Sequence, residues 1–289
     1  MKKAAFLTME DLTGFECYDD LLIKPLNNLS WSVEKIPWKK DNINWNNFDA
    51  VIVRSTWDYQ SDPDKFLKVL YRIDESSARL ENSLSILKWN MNKNYLRDLE
   101  NKGIKIVETI WEKYFRPEKT ENYFSKLNSE EIIIKPNISG NADNTFRIKR
   151  SEIHLFFSEL KEIFDNREFM VQQFNNNIIT EGEYSLFYFG GKYSHSILKT
   201  PKENDFRVQE EHGGIINSVE PLPEQITLAE SILARIKPLP LYARIDFVRT
   251  AGDNFALMEL ELIEPSLYFN MNEESPIRFA EIFNEWMKS

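Results

Sequence analysis

Tyr242-Ala-Arg-Ile-Asp-Phe-Val248 and Phe255-Ala-Leu-Met-Glu-Leu-Glu-Leu262 are two apolar runs joined by a short turn around Gly252-Asp253. Side chains alternate along a strand, so Arg244 and Asp246 share one face of the first run. Glu259 and Glu261 share a face of the second, while Met258, Leu260 and Leu262 point the other way. A turn centred near Gly252 sets Asp246 roughly opposite Glu259, and three carboxylates and an arginine converge on one patch of sheet. Like charges about 4 Å apart repel by about 4 kcal/mol at an intermediate dielectric, so the patch calls for a cation. All-oxygen donors suit Mg2+ or Mn2+. An amphipathic hairpin with its charged face in water explains the same pattern, so the decision rests with the rest of the chain.

Two further stretches carry charge in suggestive places. Glu131-Ile-Ile-Ile-Lys-Pro136 ends an apolar strand on a lysine, beside the polar loop Asn137–Asp143. That lysine is placed to meet a phosphate, or simply to reach solvent from a strand end. Asp205-Phe-Arg-Val-Gln-Glu-Glu-His-Gly-Gly214 has the composition of a mobile flap over an anion, or of a plain connection.

The order of elements frames these motifs. Short apolar strands at Ala4–Thr8, Val33–Ile36 and Ala50–Val53 alternate with helical patterns at Tyr18–Leu29 and Pro63–Tyr71. Pro25 shortens or kinks the first helix, whereas Asp62 and Pro63 open the second as cap and first residue. This predicts a small parallel α/β unit over residues 1–88. Beyond it the spacing predicts a helix over Asn92–Asn101 stopped by Gly103, strands at Lys105–Val107, Ile132–Lys135 and Phe169–Phe174, and a helix near Glu152–Phe164. Tyr184–Phe189 and Lys192–Leu198 flank Gly190-Gly191 as a hairpin, and helices at Gln225–Arg235 and Ile277–Met287 bracket the acidic pair of strands.

Composition narrows the chemistry. The 289 residues, 42% apolar and 13% aromatic, supply a core for about two domains. A net charge of −10 leaves no broad basic footprint for nucleic acid or anionic membrane, although a local cationic cleft remains open. Cys17 is the single cysteine, which excludes an internal disulfide and fits a reducing compartment. No stretch approaches the ~20 apolar residues of a membrane helix, so a soluble cytoplasmic protein is expected. The nine glycines make neither GxGxxG nor GxxxxGK[ST], and there is no HExxH or GxSxG. His154, His195 and His212 lie far apart, so carboxylates, lysines and arginines must carry any catalysis.

Taken in order, the strand lysine of IIIKP, the FRVQEEHGG loop, ARIDFV and MELELIEPSLYF resemble the ATP-grasp ligase superfamily. More narrowly, Arg54-Ser-Thr-Trp-Asp-Tyr59, Lys88-Trp-Asn-Met-Asn-Lys93 and Glu259-Leu-Glu-Leu-Ile-Glu-Pro-Ser-Leu-Tyr268 resemble the O-ureidoserine cyclo-ligases of D-cycloserine biosynthesis, across essentially the whole chain. The resemblance implies a mixed α/β and α+β fold. Its parts would be a pre-ATP-grasp domain at 1–88 and two α+β subdomains at 89–177 and 178–289, the latter two enclosing an ATP cleft. It implies that Lys93 and Lys135 contact phosphates, that Gln172, Gln173 and Phe174 border the adenine, and that Glu183 lies near the ribose. Asp246, Glu259 and Glu261 match the metal set, with Glu261 standing where many relatives carry asparagine. Arg207 and Arg244 match arginines that steady the phosphoryl group, and Arg54, Ser55, Thr56, Asp58, Glu264 and Ser266 are substrate candidates. Trp57 could line the pocket, but reads first as a core residue. The implied activity is ATP- and Mg2+-dependent C–N ligation of a small amino-acid-like carboxylate through an acyl phosphate, with ring closure as in the cyclo-ligase. The alternatives are an intermolecular amino acid or peptide ligase and a non-catalytic ATP-binding regulator. Homo-oligomers occur among such relatives.

Overall fold

An uninterrupted apolar run such as Ala50-Val-Ile-Val53 has no polar face to offer water, so it belongs inside a parallel sheet covered on both sides. The computed structural model, which describes residues 1–250 and 252–288, places it there. The first sheet holds β1 (Lys2–Thr8), β2 (Trp31–Pro37), β3 (Ala50–Ser55) and β4 (Arg79–Glu81) in the order β2-β1-β3-β4, all parallel. The expected helix at Tyr18–Leu29 is divided into a 3-10 turn at Asp19–Leu22 and α1 (Ile23–Asn28), with Pro25 in the latter's first turn. Leu22 and Leu26 are buried while Leu21 is left exposed. α2 (Pro63–Asp74) begins as expected, with the Asp62 carboxylate accepting from the Lys65 amide at 3.0 Å. Its buried Phe66, Val69, Leu70 and Ile73 follow helical spacing and cover one face of the sheet.

α3 (Leu84–Asn90) and α4 (Tyr95–Asn101) lead to a second sheet, β5-β8-β6-β7. Its strands are β5 (Thr109–Glu112), β6 (Glu131–Pro136), β7 (Phe146–Lys149) and β8 (Phe169–Gln173), all antiparallel, with α5 (Thr120–Lys126) and α6 (Phe157–Phe164) on its core. α7 (Asn177–Thr180) then opens a third sheet, β11-β10-β9-β12-β13, built from β9 (Glu183–Phe189), β10 (Lys192–Thr200), β11 (Ile215–Ser218), β12 (Tyr242–Arg249) and β13 (Phe255–Glu261). Gly190 and Gly191 turn the first hairpin with φ of 53° and 77°, the conformation that a two-residue turn requires. α8 (Pro223–Leu233) packs on this sheet together with α3 and α4. α9 (Ser275–Trp286) returns to the first sheet, where Phe279 and Phe283 join Phe6 and Ile52 in one core.

The sequence reading departs from this fold in two kinds of place. Lys105–Val107 forms no strand, only a single bridge from Ile106 to Leu257. The short β5, β7 and β11 and helices α3 and α5 had no clear period of their own and are held by what they pack against.

β13 is the outer strand of its sheet, and such an edge exposes unpaired backbone groups. Here side chains complete it. Asn90 donates to the Leu260 carbonyl at 2.8 Å and accepts from the Leu262 amide at 2.8 Å. Tyr95 accepts from the Leu260 amide at 3.0 Å, and Asn82 donates to the Leu262 and Tyr242 carbonyls at 2.8 and 3.0 Å. Removing Asn90 leaves one buried carbonyl and one buried amide unpaired. Asn90→Ala should therefore lower unfolding stability by about 2–4 kcal/mol in a urea titration, against less than about 0.5 kcal/mol for the exposed Asn101→Ala.

Candidate functional site

Strands of the second and third sheets, with Trp57, Tyr59 and Gln60 from beyond β3, line one cleft. Its acidic floor follows from strand register. Asp246 pairs with Glu259, and Arg244 with Glu261, across β12 and β13. A register shift after Asp246 leaves Met258 as an extra residue, a bulge that turns it onto the cleft instead of the opposite face expected from strict alternation. There Met258 packs with Val107, Ile178 and Val248, an apolar wall suited to a flat heterocycle. Ile133, Gln172, Gln173 and Phe174 complete the lining on the second sheet's side.

Glu183, Asp246, Glu259 and Glu261 each have a cation beside them. The Arg244 fork donates to Asp246 at 3.0–3.1 Å and also bonds Glu261, while Lys93 pairs with Glu259 at 2.7 Å. Ser185 donates to Asp246 at 2.5 Å. Lys199, which the sequence reading did not single out, bonds Glu183 and lies 3.7 Å from Asp246. The sequence pattern ends this strand at Leu198, and one more residue puts Lys199 directly across from Glu183. Lys135 projects from β6 into the same lining.

The charges tune one another. Burial opposes ionisation of Glu259, yet Lys93 and Lys135 outweigh it and hold the carboxyl below its ordinary range. Burial pushes Glu261 up, Arg244 opposes this, and the charges of Asp246 and Glu259 add to the rise. Burial likewise raises Glu183 against the pull of Lys199. Lys135 is drawn down by burial, partly offset by Glu259. Burial alone would lower Arg244, but Asp246 and Glu261 carry it well above its usual value.

The flap is folded on itself and reaches two neighbouring units. Asp205 accepts from the backbone amides of Phe206 and Arg207 at 2.8 and 3.0 Å and from the Arg207 guanidinium at 2.9–3.1 Å. Tyr18 donates to Glu210 at 3.1 Å, and the His212 ring lies 3.2 Å from the Asn141 carbonyl. Phe206 meets Phe174 edge to face, and Phe206, Arg207 and Val208 line the cleft.

The substrate candidates divide. Glu264 and Ser266 line the cleft, whereas Arg54, Ser55 and Thr56 are buried and absent from its lining. Arg54 is spent on a buried pair with Asp19 at 2.8–3.0 Å, on the Pro265 carbonyl at 3.1 Å, and on the Tyr242 ring. Asp58 borders a separate groove and bonds Trp38 and Lys39. Trp57 answers to both of its readings: it packs half-buried against the first sheet's core, lines the cleft, and donates to the Glu264 carbonyl at 2.8 Å.

The donor set fits a hard cation. Asp246, Glu259 and Glu261 offer only oxygens, and among the described residues no group of three or more His, Cys, Asp or Glu stands together as a ready cage. Mg2+ needs none, because it takes one or two carboxylates and completes its octahedron with phosphate oxygens and water.

Comparison with known proteins agrees with this geometry. Residues 4–82 match the family described as D-cycloserine synthetase DcsG, N-terminal domain. The cycloserine biosynthesis protein DcsG of Streptomyces lavendulae is 25% identical over 285 residues, spanning 92% of this chain and 93% of that protein. The crystal structure of D-cycloserine synthetase DcsG superposes with a TM-score of 0.87 at 23% identity, covering 99% of each chain. D-alanine–D-alanine ligase from Bacillus anthracis, complexed with ATP, gives 0.70 at 14% identity over 100% and 98% of the two chains. The ATP-grasp ligase PsnB, solved with a minimal precursor, Mg and ADP, gives 0.66 at 12% over 99% and 98%. The fold these comparisons show is that of the ATP-grasp ligases. Along nearly its whole length the chain is similar to DcsG, and over residues 4–82 it matches the DcsG N-terminal domain. No helix among the described residues is long and apolar enough to cross a membrane.

One buried group outside the charged floor reports on this architecture. His195 stacks on Phe187, and its Nε2 donates to the Leu267 carbonyl at 3.0 Å. Burial holds its pKa down at about 4, against an ordinary 6.5. The unfolded chain therefore binds the extra proton first, so the His195 contribution is intact above about pH 6.5 and is lost as pH falls toward 4. The stability advantage of wild type over His195→Gln should shrink by up to about 3 kcal/mol between about pH 7 and pH 4.5, read from urea titrations at each pH.

Proposed function

We propose that the protein activates a small amino-acid-like carboxylate as an acyl phosphate and delivers it to an amine, with ring closure of an O-ureidoserine-like substrate as the leading case. The observation that carries the reaction type is the Arg244 fork, buried between Asp246 and Glu261 in a cleft that also holds Lys93, Lys135 and Lys199. The DcsG likeness along nearly the whole chain supports the ring-closing form. The ranges 1–88, 89–177 and 178–289 are proposed as its pre-ATP-grasp domain and two ATP-grasp subdomains.

A carboxylate attacks a γ-phosphate only if the repulsion between two anions is relieved. Lys93 and Lys135 take the phosphates, and Arg207 on the flap steadies the group in transfer. Arg244 orients the substrate carboxylate and later neutralises the acyl phosphate. Gln172, Gln173 and Phe174 frame the adenine, Glu183 takes the ribose, and Asp246, Glu259 and Glu261 hold the divalent ion. When bound, Mg2+ (or Mn2+) supplies further neutralisation of the phosphate charge. The flap from Asp205 to Gly214 keeps water from the acyl phosphate, whose hydrolysis would waste the turnover. Glu264 and Ser266 face the substrate.

ADP release from Mg-ATP tests the reading across amino acids, O-ureidoserine of both hands and short peptides. Release that depends on one carboxylate is expected, with Lys135→Ala lowering it by about 10²–10³-fold. Amide product retained within the substrate identifies ring closure, and a joined product identifies intermolecular ligation. Release that is independent of every carboxylate and unaffected by Lys135→Ala would refute the assignment.

A further inference from the structure

Between β13 and α9 the chain passes through Ile263-Glu-Pro-Ser-Leu267, and each of these carbonyls accepts a hydrogen bond from a side chain elsewhere. Tyr242 donates to the Ile263 carbonyl at 2.9 Å, Trp57 to Glu264 at 2.8 Å and Arg54 to Pro265 at 3.1 Å. Arg244 reaches the Ser266 carbonyl at 3.4 Å and His195 the Leu267 carbonyl at 3.0 Å. A segment held at five successive carbonyls has little freedom, so whatever it shows to the cleft is fixed in advance. What it shows is the side chains of Glu264 and Ser266.

Glu264 differs from the other acids on the lining of the cleft floor. Glu183, Asp246, Glu259 and Glu261 each form an ion pair, whereas the contact recorded for the Glu264 carboxyl is a neutral one, from the Gln60 amide to Oε1 at 3.0 Å. A half-buried carboxylate that forms no ion pair of its own is costly to ionise. Burial, with Glu261 next, pushes Glu264 well above its ordinary value, and the Lys93 charge, already paired with Glu259, opposes this without reversing it. A ligand that brings a positive charge to Oε2 removes that penalty.

The surroundings select the kind of cation. Gln60 points an N–H at the same carboxyl, which suits an ammonium hydrogen-bonding to the remaining oxygen and opposes a second metal ion. Arg244, the carboxylate-binding fork, touches Ser266, two residues along the same segment. Two residues of chain span at most about 7 Å, so a cationic and an anionic receptor border one small volume, as a zwitterion requires.

We propose that Glu264 is the specificity-determining receptor for the ammonium group of an α-amino-acid substrate, presented by a segment that Trp57, Arg54 and His195 hold in position. This rests on the ligase reading above. It makes the substrate class α-amino acids, not simple carboxylic acids.

The test compares O-ureidoserine with 3-(ureidooxy)propanoate, its counterpart lacking the amine, and likewise any other amino acid that releases ADP with its desamino analogue. Wild type should prefer the amino acid by on the order of 100-fold in kcat/KM. Glu264→Gln should reduce that preference to within about threefold, chiefly through the KM of the amino acid, with the analogue and the KM for ATP unchanged. Glu264→Asp, which keeps the charge, should retain most of the preference and guards against a folding defect in the first variant. Trp57→Phe, which keeps a ring but loses the N–H, should weaken the preference in the same direction and by less. Equal losses for amino acid and analogue in Glu264→Gln would overturn the proposal, as would an unchanged preference accompanied by a raised Mg2+ requirement. Wild type that releases ADP with no carboxylate at all would overturn the ligase reading, and this inference with it.

Discussion

A carboxylate withdrawn from water needs a cation, and the register of β12 against β13 withdraws three of them side by side. The rest of the molecule is arranged around that demand. Arg244 comes from the same strand as Asp246, but Lys93 arrives from the link between α3 and α4 and Lys199 from β10. Lys135 arrives from the second sheet, close enough for its charge to act on Glu259. The second and third sheets thus meet at one cleft where cations from both face the acidic strands. Buried ion pairs of this kind contribute little net stability, because desolvation cancels most of the attraction. What they secure is position, which a phosphoryl-transfer site needs more than it needs stability.

The same division of labour explains the motifs of the first sheet. Arg54 and Trp57 sit where α/β proteins bind ligands, at the carboxyl end of a central strand. Yet Arg54 is absent from the cleft lining; its Nε and Nη2 are engaged by Asp19 and a backbone carbonyl, and its Nη1 is buried without a partner. The first sheet acts on the reaction indirectly, by fixing the Ile263–Leu267 segment through Arg54, Trp57 and Gln60. RSTWDY and ELELIEPSLY are thus two sides of one contact.

Alternation was enough to read Arg244, Asp246, Glu259 and Glu261 onto one patch, because a paired strand offers only two faces. It failed at Met258, since a bulge breaks the period without a glycine or proline to announce it. It stopped one residue short of Lys199, whose partner Glu183 is visible only once the hairpin register is known. Arg54 was misplaced for a different reason. A buried arginine and a ligand-binding arginine look alike in sequence, and only Asp19, 35 residues earlier, tells them apart. The apolar wall from Val107, Ile178 and Val248 was hidden because single residues from three distant stretches carry no period at all.

The ion pairs on the floor also bear on how such a site stays folded while remaining ready to bind. Lys93 is held by Glu259 and by the Ser139 carbonyl at 2.9 Å, both on the cleft side of their elements. In the proposed reaction Lys93 exchanges a carboxylate for a phosphate and Glu259 exchanges an ammonium for a divalent ion. Each group trades one partner of opposite charge for another, so none passes through an unpaired, desolvated state. Glu264 stands apart within this scheme, bonded to a neutral amide and forming no ion pair of its own. Where the floor pairs Glu183, Asp246, Glu259 and Glu261 with cations of the chain, the proposed reaction pairs Glu264 with charge carried in by the substrate.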